Sequence, residues 1–308
     1  MLTCEELHLR AALFRAIREY FVSQQFLEVD TPVRQAVIVP EANIMPLRAE
    51  EEFLQASPEL CMKRLLASGC DDIFQLCRCF RKEERGRRHL QEFTMLEWYR
   101  RGGDYFDLME DCRRLVRCCV DEICRTAERR GGGVPPLCAE GLSGLSGSWP
   151  TITVAEAFAR WSPLSLEICL HQGLFEEMLV EHIEPHLGSG EAPCFLYDYP
   201  DSMASLARKK PGGAGVAERF ELYWKGLELA NGFSELTDAG EQRRRFEDEL
   251  RAIGRLRGEG LPMPEKFLQD LDRLTECAGI AFGVDRFFML LLGKDDIGEA
   301  VTFGPGDL

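Results

Sequence analysis

Residues 80–100 read FRKEERGRRHLQEFTMLEWYR, with five arginines, a lysine and a histidine crowded into a short stretch of a chain that carries 52 acidic and only 37 basic residues. The basic run lies between IFQLCRCF (73–80) and EFTMLEWY (92–99), two segments short and apolar enough to be strands, so the stretch predicts a long β-hairpin with a charged tip. Side chains alternate across a strand, which puts Arg81 and Glu83 on one face and groups Phe93, Met95, Glu97 and Tyr99 on one face of the return strand. A solvated loop between two core strands would account for the basic run alone. It does not account for Glu97 among aromatic residues, because a buried carboxylate without a partner is costly. A ligand ammonium is one candidate partner.

Outward from the hairpin, residues 5–25 carry apolar side chains at helical spacing (Leu9, Leu13, Phe14, Ile17, Phe21), and FLEVDTPV (26–33) then turns extended. Helices are expected over 58–68 and 104–130, and a loose Gly/Ser/Pro insertion over about 129–150. Short helices to about 187, a strand CFLYDYP (194–200), a hairpin ERFELYWKGLELANGF (218–233), helices over 238–258 and 264–277, and the apolar GIAFGVDRFFMLLLG (279–293) complete the reading. Hairpin-linked strands mixed with helices predict an α+β fold, a mainly antiparallel β-sheet flanked by helices, in one domain spanning 1–308.

Composition narrows the function. The net charge of −15 argues against a nucleic-acid binder that works through its overall field. Thirteen cysteines, an odd number without a Cys-x-x-Cys pair or a signal peptide, fit reduced thiols in a cytoplasmic protein, and no apolar run is long enough to span a membrane. His182 and His186 resemble a zinc-binding helix only superficially, since Pro185 interrupts it.

A second constellation lies in ERFELYWKGLELANGFSEL (218–236). A two-residue turn at Lys225-Gly226 pairs Trp224 with Leu227 and Tyr223 with Glu228, which sets Glu221 and Glu228 on one face. Two adjacent carboxylates repel unless a cation lies between them, and Mg²⁺ shared with substrate phosphates suits them. Past an expected Asn231-Gly232 turn, Glu235 could point into the same cavity; exposed glutamates on an edge hairpin are the alternative. In the third segment, Gly283 would let the backbone approach a ligand closely and Arg286 enters an otherwise apolar helix, where a buried structural arginine is the ordinary explanation.

Taken together, FLEVDTP, FRKEE…RHLQEFTMLEWY and GIAFGVDR resemble, in order, motifs 1, 2 and 3 of the class II aminoacyl-tRNA synthetases. SPEL (57–60) and ERFELYWKGLELANGFSELTD (218–238) bring the resemblance to the lysyl enzymes, and it spans nearly the whole chain. The chain starts almost at the motif 1 helix, which leaves no room for an anticodon-binding domain, so it resembles more particularly the elongation factor P lysine ligase family. Members of that family activate (R)-β-lysine with ATP and transfer it to a lysine of elongation factor P. Ala281, where lysyl-tRNA synthetases usually have Gly, supports this reading.

The resemblance implies a class II synthetase catalytic core, ATP and Mg²⁺ as cofactors, elongation factor P as acceptor, lysine or β-lysine as substrate, a homodimer built on motif 1, and no stable tRNA binding. It implies catalytic roles for Arg81 and Arg286 on the phosphates, ATP contacts from Glu83, Phe93, Glu228, Leu229 and Gly283, and Mg²⁺ ligation by Glu221 and Glu228. The amino acid would be read by Ser57, Pro58, Glu59, Glu97, Tyr99, Asn231, Glu235 and Ala281. Leu90-Gln91 departs from the usual Asn-Pro after the motif 2 histidine, so one polar contact to ATP is missing or comes from the backbone. A minimal lysyl-tRNA synthetase and a non-catalytic regulatory paralogue remain alternatives.

Overall fold

In a computed structural model, Thr3 caps the first helix, α1 (Cys4–Ser23), by exchanging hydrogen bonds with Glu6, and the apolar stripe Leu9, Leu13, Ile17 and Phe21 is buried. The structure describes residues 1–308 except 132, 134, 140–142, 205, 214, 259 and 308. After α1 come β1 (Leu27–Glu28), a small antiparallel sheet of β2 (Arg34–Gln35), β3 (Leu47–Ala49) and β4 (Glu52–Leu54), and the helix α2 (Glu59–Ala67). The predicted hairpin follows as β5 (Ile73–Phe80) and β6 (Glu92–Arg101), and then α3 (Tyr105–Arg130), which is capped by Asp104 and closed by Gly131 in the left-handed conformation.

Two short helices, α4 (Pro136–Ala139) and α5 (Ser143–Ser146), lead to β7 (Thr151–Thr153) and to α6 (Val154–Trp161), α7 (Leu166–Gln172) and α8 (Phe175–Met178). The strands β8 (Cys194–Pro200), β9 (Val216–Trp224) and β10 (Leu227–Ser234) precede α9 (Ala239–Arg257) and α10 (Glu265–Leu271). The chain then forms β11 (Cys277–Gly283) and α11 (Val284–Leu292). The main sheet has the order β1-β5-β6-β11-β10-β9-β8-β7, antiparallel except for its two outermost pairs.

Alternation along β6 explains the two faces of this sheet. Leu96 and Trp98 turn into the main core under α1 and α3, where Phe21 stacks on Phe74 at 4.7 Å and lies 5.2 Å from Trp98. Glu97 and Tyr99 therefore face the other way, and that face carries the site. The motif 3 helix α11 is tied to the core by a buried ion pair, in which Asp285 accepts from Arg10 Nη2 at 2.5 Å and from the Thr94 amide at 2.6 Å.

The structure corrects several expectations. Strand β5 ends at Phe80 and residues 81–83 turn, so alternation does not place Arg81 and Glu83 on one face. Asn231-Gly232 is not a turn but lies inside β10, paired with β9 and β11. Glycine is needed there because a Cβ at Gly232 would come within 2.7 Å of the Phe220 ring. The helix expected over 264–277 stops at Leu271, and Cys277 opens β11.

The Gly/Ser/Pro segment is anchored rather than loose. Leu137, Leu145 and Trp149 are buried, and Cys138 forms a disulfide with Cys124 of α3, with a Cα–Cα distance of 5.8 Å. That pair also corrects the expectation of uniformly reduced thiols. Isolated apolar residues in a run without periodicity left no signal of this docking. Residues 132, 134 and 140–142 of the segment lie outside the described part. Among the described residues no helix is long and apolar enough to cross a membrane.

Candidate active site

A cavity of about 570 Å³ opens on the face of β6, β11 and β10. At one end Arg81 lies over the Phe93 ring, 5.2 Å from its centroid, and donates from Nη1 to Glu84 at 3.0 Å. Its Nε is buried and has no hydrogen-bond partner among the described residues. Facing it across the cavity, Arg286 donates from Nη1 to the backbone and side-chain oxygens of Glu228, both at 3.0 Å, and from Nε to the Arg88 carbonyl. Its Nη2 is 2.7 Å from Nε2 of His89, whose pKa burial and then Arg286 hold below the ordinary value, so the ring is neutral and accepts there. This end holds planar cations and an aromatic face, a combination suited to a nucleotide with its phosphates.

The other end is acidic. Glu97 is only 2% exposed and accepts from the hydroxyls of Tyr99 at 2.6 Å and Ser57 at 2.7 Å. Lys63 of α2, also 2% exposed, lies 2.5 Å from both Glu59 and Glu235 and 5.2 Å from the Phe233 ring. Burial alone would lower the pKa of Lys63, but Glu235 and Glu59 more than offset it and keep the amine protonated. Glu97 is pushed up to about 8, by burial first and then by Glu59. Three carboxylates thus surround one buried cation. Gly279 is the floor that makes room for them, since a Cβ there would fall on the Tyr99 ring.

The expected residues divide into those that line the cavity and those that do not. Arg81, Phe93, Glu228, Leu229, Gly283 and Arg286 line one end, and Ser57, Glu59, Glu97, Tyr99, Asn231 and Ala281 the other. Glu83 is exposed outside it, because of the turn after Phe80, while Glu84 lines it instead. Pro58 is buried at the start of α2. Glu235, expected to point into the cavity, is instead drawn beneath the floor by Lys63.

Glu221 is likewise saturated. It accepts from Arg219 at 2.6 Å and from the hydroxyls of Tyr199 and Tyr223, each at 2.6 Å. Arg219 bonds Glu221 and Arg286 bonds Glu228, which lessens the repulsion between the two carboxylates. Among the described residues no group of three or more His, Cys, Asp or Glu is placed to hold a metal ion by itself.

The residues that sequence reasoning missed are the counter-ions Lys63 and Arg219 and the rim residues Glu84, Arg88 and His89. Lys63 left one readable trace, since it stands four residues after Glu59 on a predicted helix, the spacing of an ion pair. Arg219 left none, because it shares a strand face with Glu221 in a pattern common to exposed strands.

The family model of class II tRNA synthetases (D, K and N) matches residues 3–306. An elongation factor P–(R)-β-lysine ligase from Salmonella typhi is 39% identical over 308 aligned residues, which cover 96% of this chain and 93% of that protein. A protein of the same name from Klebsiella pneumoniae (strain 342) is 38% identical over 315 aligned residues, with the same coverage of both chains.

Proposed function

This chain belongs to the class II tRNA synthetase family (D, K and N), and from that premise we propose that it activates a lysine-type amino acid, (R)-β-lysine, with ATP and transfers it to a lysine side chain of elongation factor P. The relatives named for that activity support the reading. The observation that carries it is the acidic end of the cavity, where Glu59, Glu97 and Glu235 set three carboxyl groups against the single ammonium of Lys63. A substrate with two ammonium groups supplies further cations for these carboxyls, and lysine and β-lysine each carry two such groups beside the carboxylate that reacts.

In this reading Glu97 and Tyr99 hold the distal ammonium, Glu59 and Ser57 lie near the other amine, and Glu235 acts indirectly by fixing Lys63. The substrate carboxylate attacks the α-phosphorus of ATP, the bond to pyrophosphate breaks, and Arg81 stabilises the charge that develops on the phosphoryl oxygens. Phe93 stacks on the adenine, and Arg286 exchanges its contact with Glu228 for the γ-phosphate. The acceptor amine then attacks the acyl carbon and AMP departs. Glu228, which lines the cavity, would help to hold magnesium, which would neutralise charge on the ATP phosphates, while Glu221 is engaged by Arg219. A homodimer would be formed through α1 and β1.

The test is ATP–pyrophosphate exchange with (R)-β-lysine and L-lysine, followed by transfer of labelled amino acid to elongation factor P or to bulk tRNA. Exchange with β-lysine and label on elongation factor P is expected. Label on tRNA alone would replace the proposal with a minimal lysyl-tRNA synthetase, and no exchange with either amino acid would replace it with a non-catalytic paralogue.

The acidic cluster also sets a pH dependence. Burial, and then Glu59, raise Glu97 from the ordinary carboxyl value of 4.5 to about 8. It is therefore neutral below about pH 8, and binding an ammonium ion requires it to ionise. Amino-acid affinity is expected to weaken about tenfold per unit as pH falls below 8, with one proton released on binding. Calorimetry between pH 6 and 8 in buffers of different ionisation enthalpy counts that proton. An affinity independent of pH in this window would contradict the assignment, and Glu97→Gln should abolish the proton release.

A further inference from the structure

Beside the cavity floor, three sulfur atoms gather on the site-facing side of the β5/β6 hairpin. Cys77 and Cys79 are two residues apart on β5 and so share a face. The strand register sets Cys77 directly opposite Met95 and Cys79 opposite Phe93, both of which line the cavity. The Cys77 and Cys79 Sγ atoms are 3.8 Å apart, and Cys79 Sγ is 3.8 Å from Met95 Sδ. Cys79 is fully buried, while Cys77 is half-buried and gives access from outside.

We propose that Cys77, Cys79 and Met95 form a binding site for one soft monovalent metal ion, copper(I). Two thiols and a thioether are the donor set that selects this ion over harder ones. Bonds of about 2.3 Å from a d¹⁰ ion to sulfur place three trigonally arranged sulfurs about 4 Å apart. The two separations from Cys79 Sγ, 3.8 Å to Cys77 Sγ and 3.8 Å to Met95 Sδ, are close to that spacing. The histidines and carboxylates form no competing cage for a harder ion among the described residues. Binding exchanges the two thiol protons for the ion, which leaves both cysteines as thiolates and Met95 neutral.

Because Met95 lines the cavity, an ion bound to its sulfur fixes that side chain against the floor of the amino-acid and nucleotide site.

The experiment is an anaerobic titration of the full chain against the copper(I)–bicinchoninate complex, with ascorbate keeping the metal monovalent. The wild-type protein is expected to withdraw one equivalent more than Cys77→Ser or Cys79→Ser, and Met95→Leu to hold that equivalent at least about tenfold more weakly. Thiols elsewhere, such as the exposed Cys4, contribute equally to every variant and cancel in the difference. Cys77 is only half-buried, so Cys77→Ser remains informative if Cys79→Ser fails to fold. Equal titration of wild type and Cys77→Ser, or withdrawal of no copper by the wild type, would overturn the proposal. The readout is metal binding itself and stands whether or not the chain modifies elongation factor P.

Discussion

Arg81→Ala is expected to lower kcat for ATP–pyrophosphate exchange by about 10²–10³, the usual cost of removing one preorganised donor aimed at developing charge. Arg81 is suited to that position because Phe93 and Glu84 hold its guanidinium in place while its Nε remains without a hydrogen bond. No described residue uses that donor, so the variant should lose rate far more than stability. Arg81→Lys should not restore the rate, since a point charge cannot reproduce the planar fork. The decisive comparison is exchange kinetics beside thermal melting. A variant that melts as the wild type and keeps within about threefold of its kcat would remove Arg81 from the proposed chemistry.

Lys63→Met should have the largest effect on stability. Lys63 is the cation that faces Glu59 and Glu235 beneath the cavity floor, with Glu97 beside them. Removing one partner from a buried charge cluster costs about 3–5 kcal/mol, because the remaining carboxylates lose their counter-ion. For a domain of this size that is a fall in melting temperature of about 10 °C. The loss should be smaller at pH 6 than at pH 8.5, since carboxylates left without Lys63 can escape the cost by taking up protons. Lys63→Met combined with Glu235→Gln should recover part of the loss, which a double-mutant cycle in thermal or urea unfolding measures. Equal loss at both pH values, or strict additivity with Glu235→Gln, would show that Lys63 matters through its packing instead.

Both predictions concern groups that were unequally visible before the structure. The acidic-aromatic face of EFTMLEWY was legible because strand alternation is local: Phe93, Met95, Glu97 and Tyr99 line the cavity together, as their spacing requires. The turn at Lys225-Gly226 was legible for the same reason, and both residues adopt the positive φ that a tight hairpin demands. The sequence also anticipated α1, α3 and α9 to within a few residues. The Asn231-Gly232 dipeptide misled because its glycine answers to a tertiary neighbour, the Phe220 ring, and not to a turn.

What the sequence determined by itself, then, was the β5/β6 hairpin with the faces it presents, the long helices, and through three ordered motifs the family. These follow from backbone geometry and side-chain alternation over a few residues. The tertiary structure alone decided which charges meet. Lys63 reaches Glu235 across 172 positions of sequence, Arg219 bonds the carboxylate of Glu221, and Cys124 finds Cys138 across a segment that reads as loop. Charge pairing inside a protein depends on distance and on the exclusion of water, and both are properties of packed elements and not of neighbouring residues.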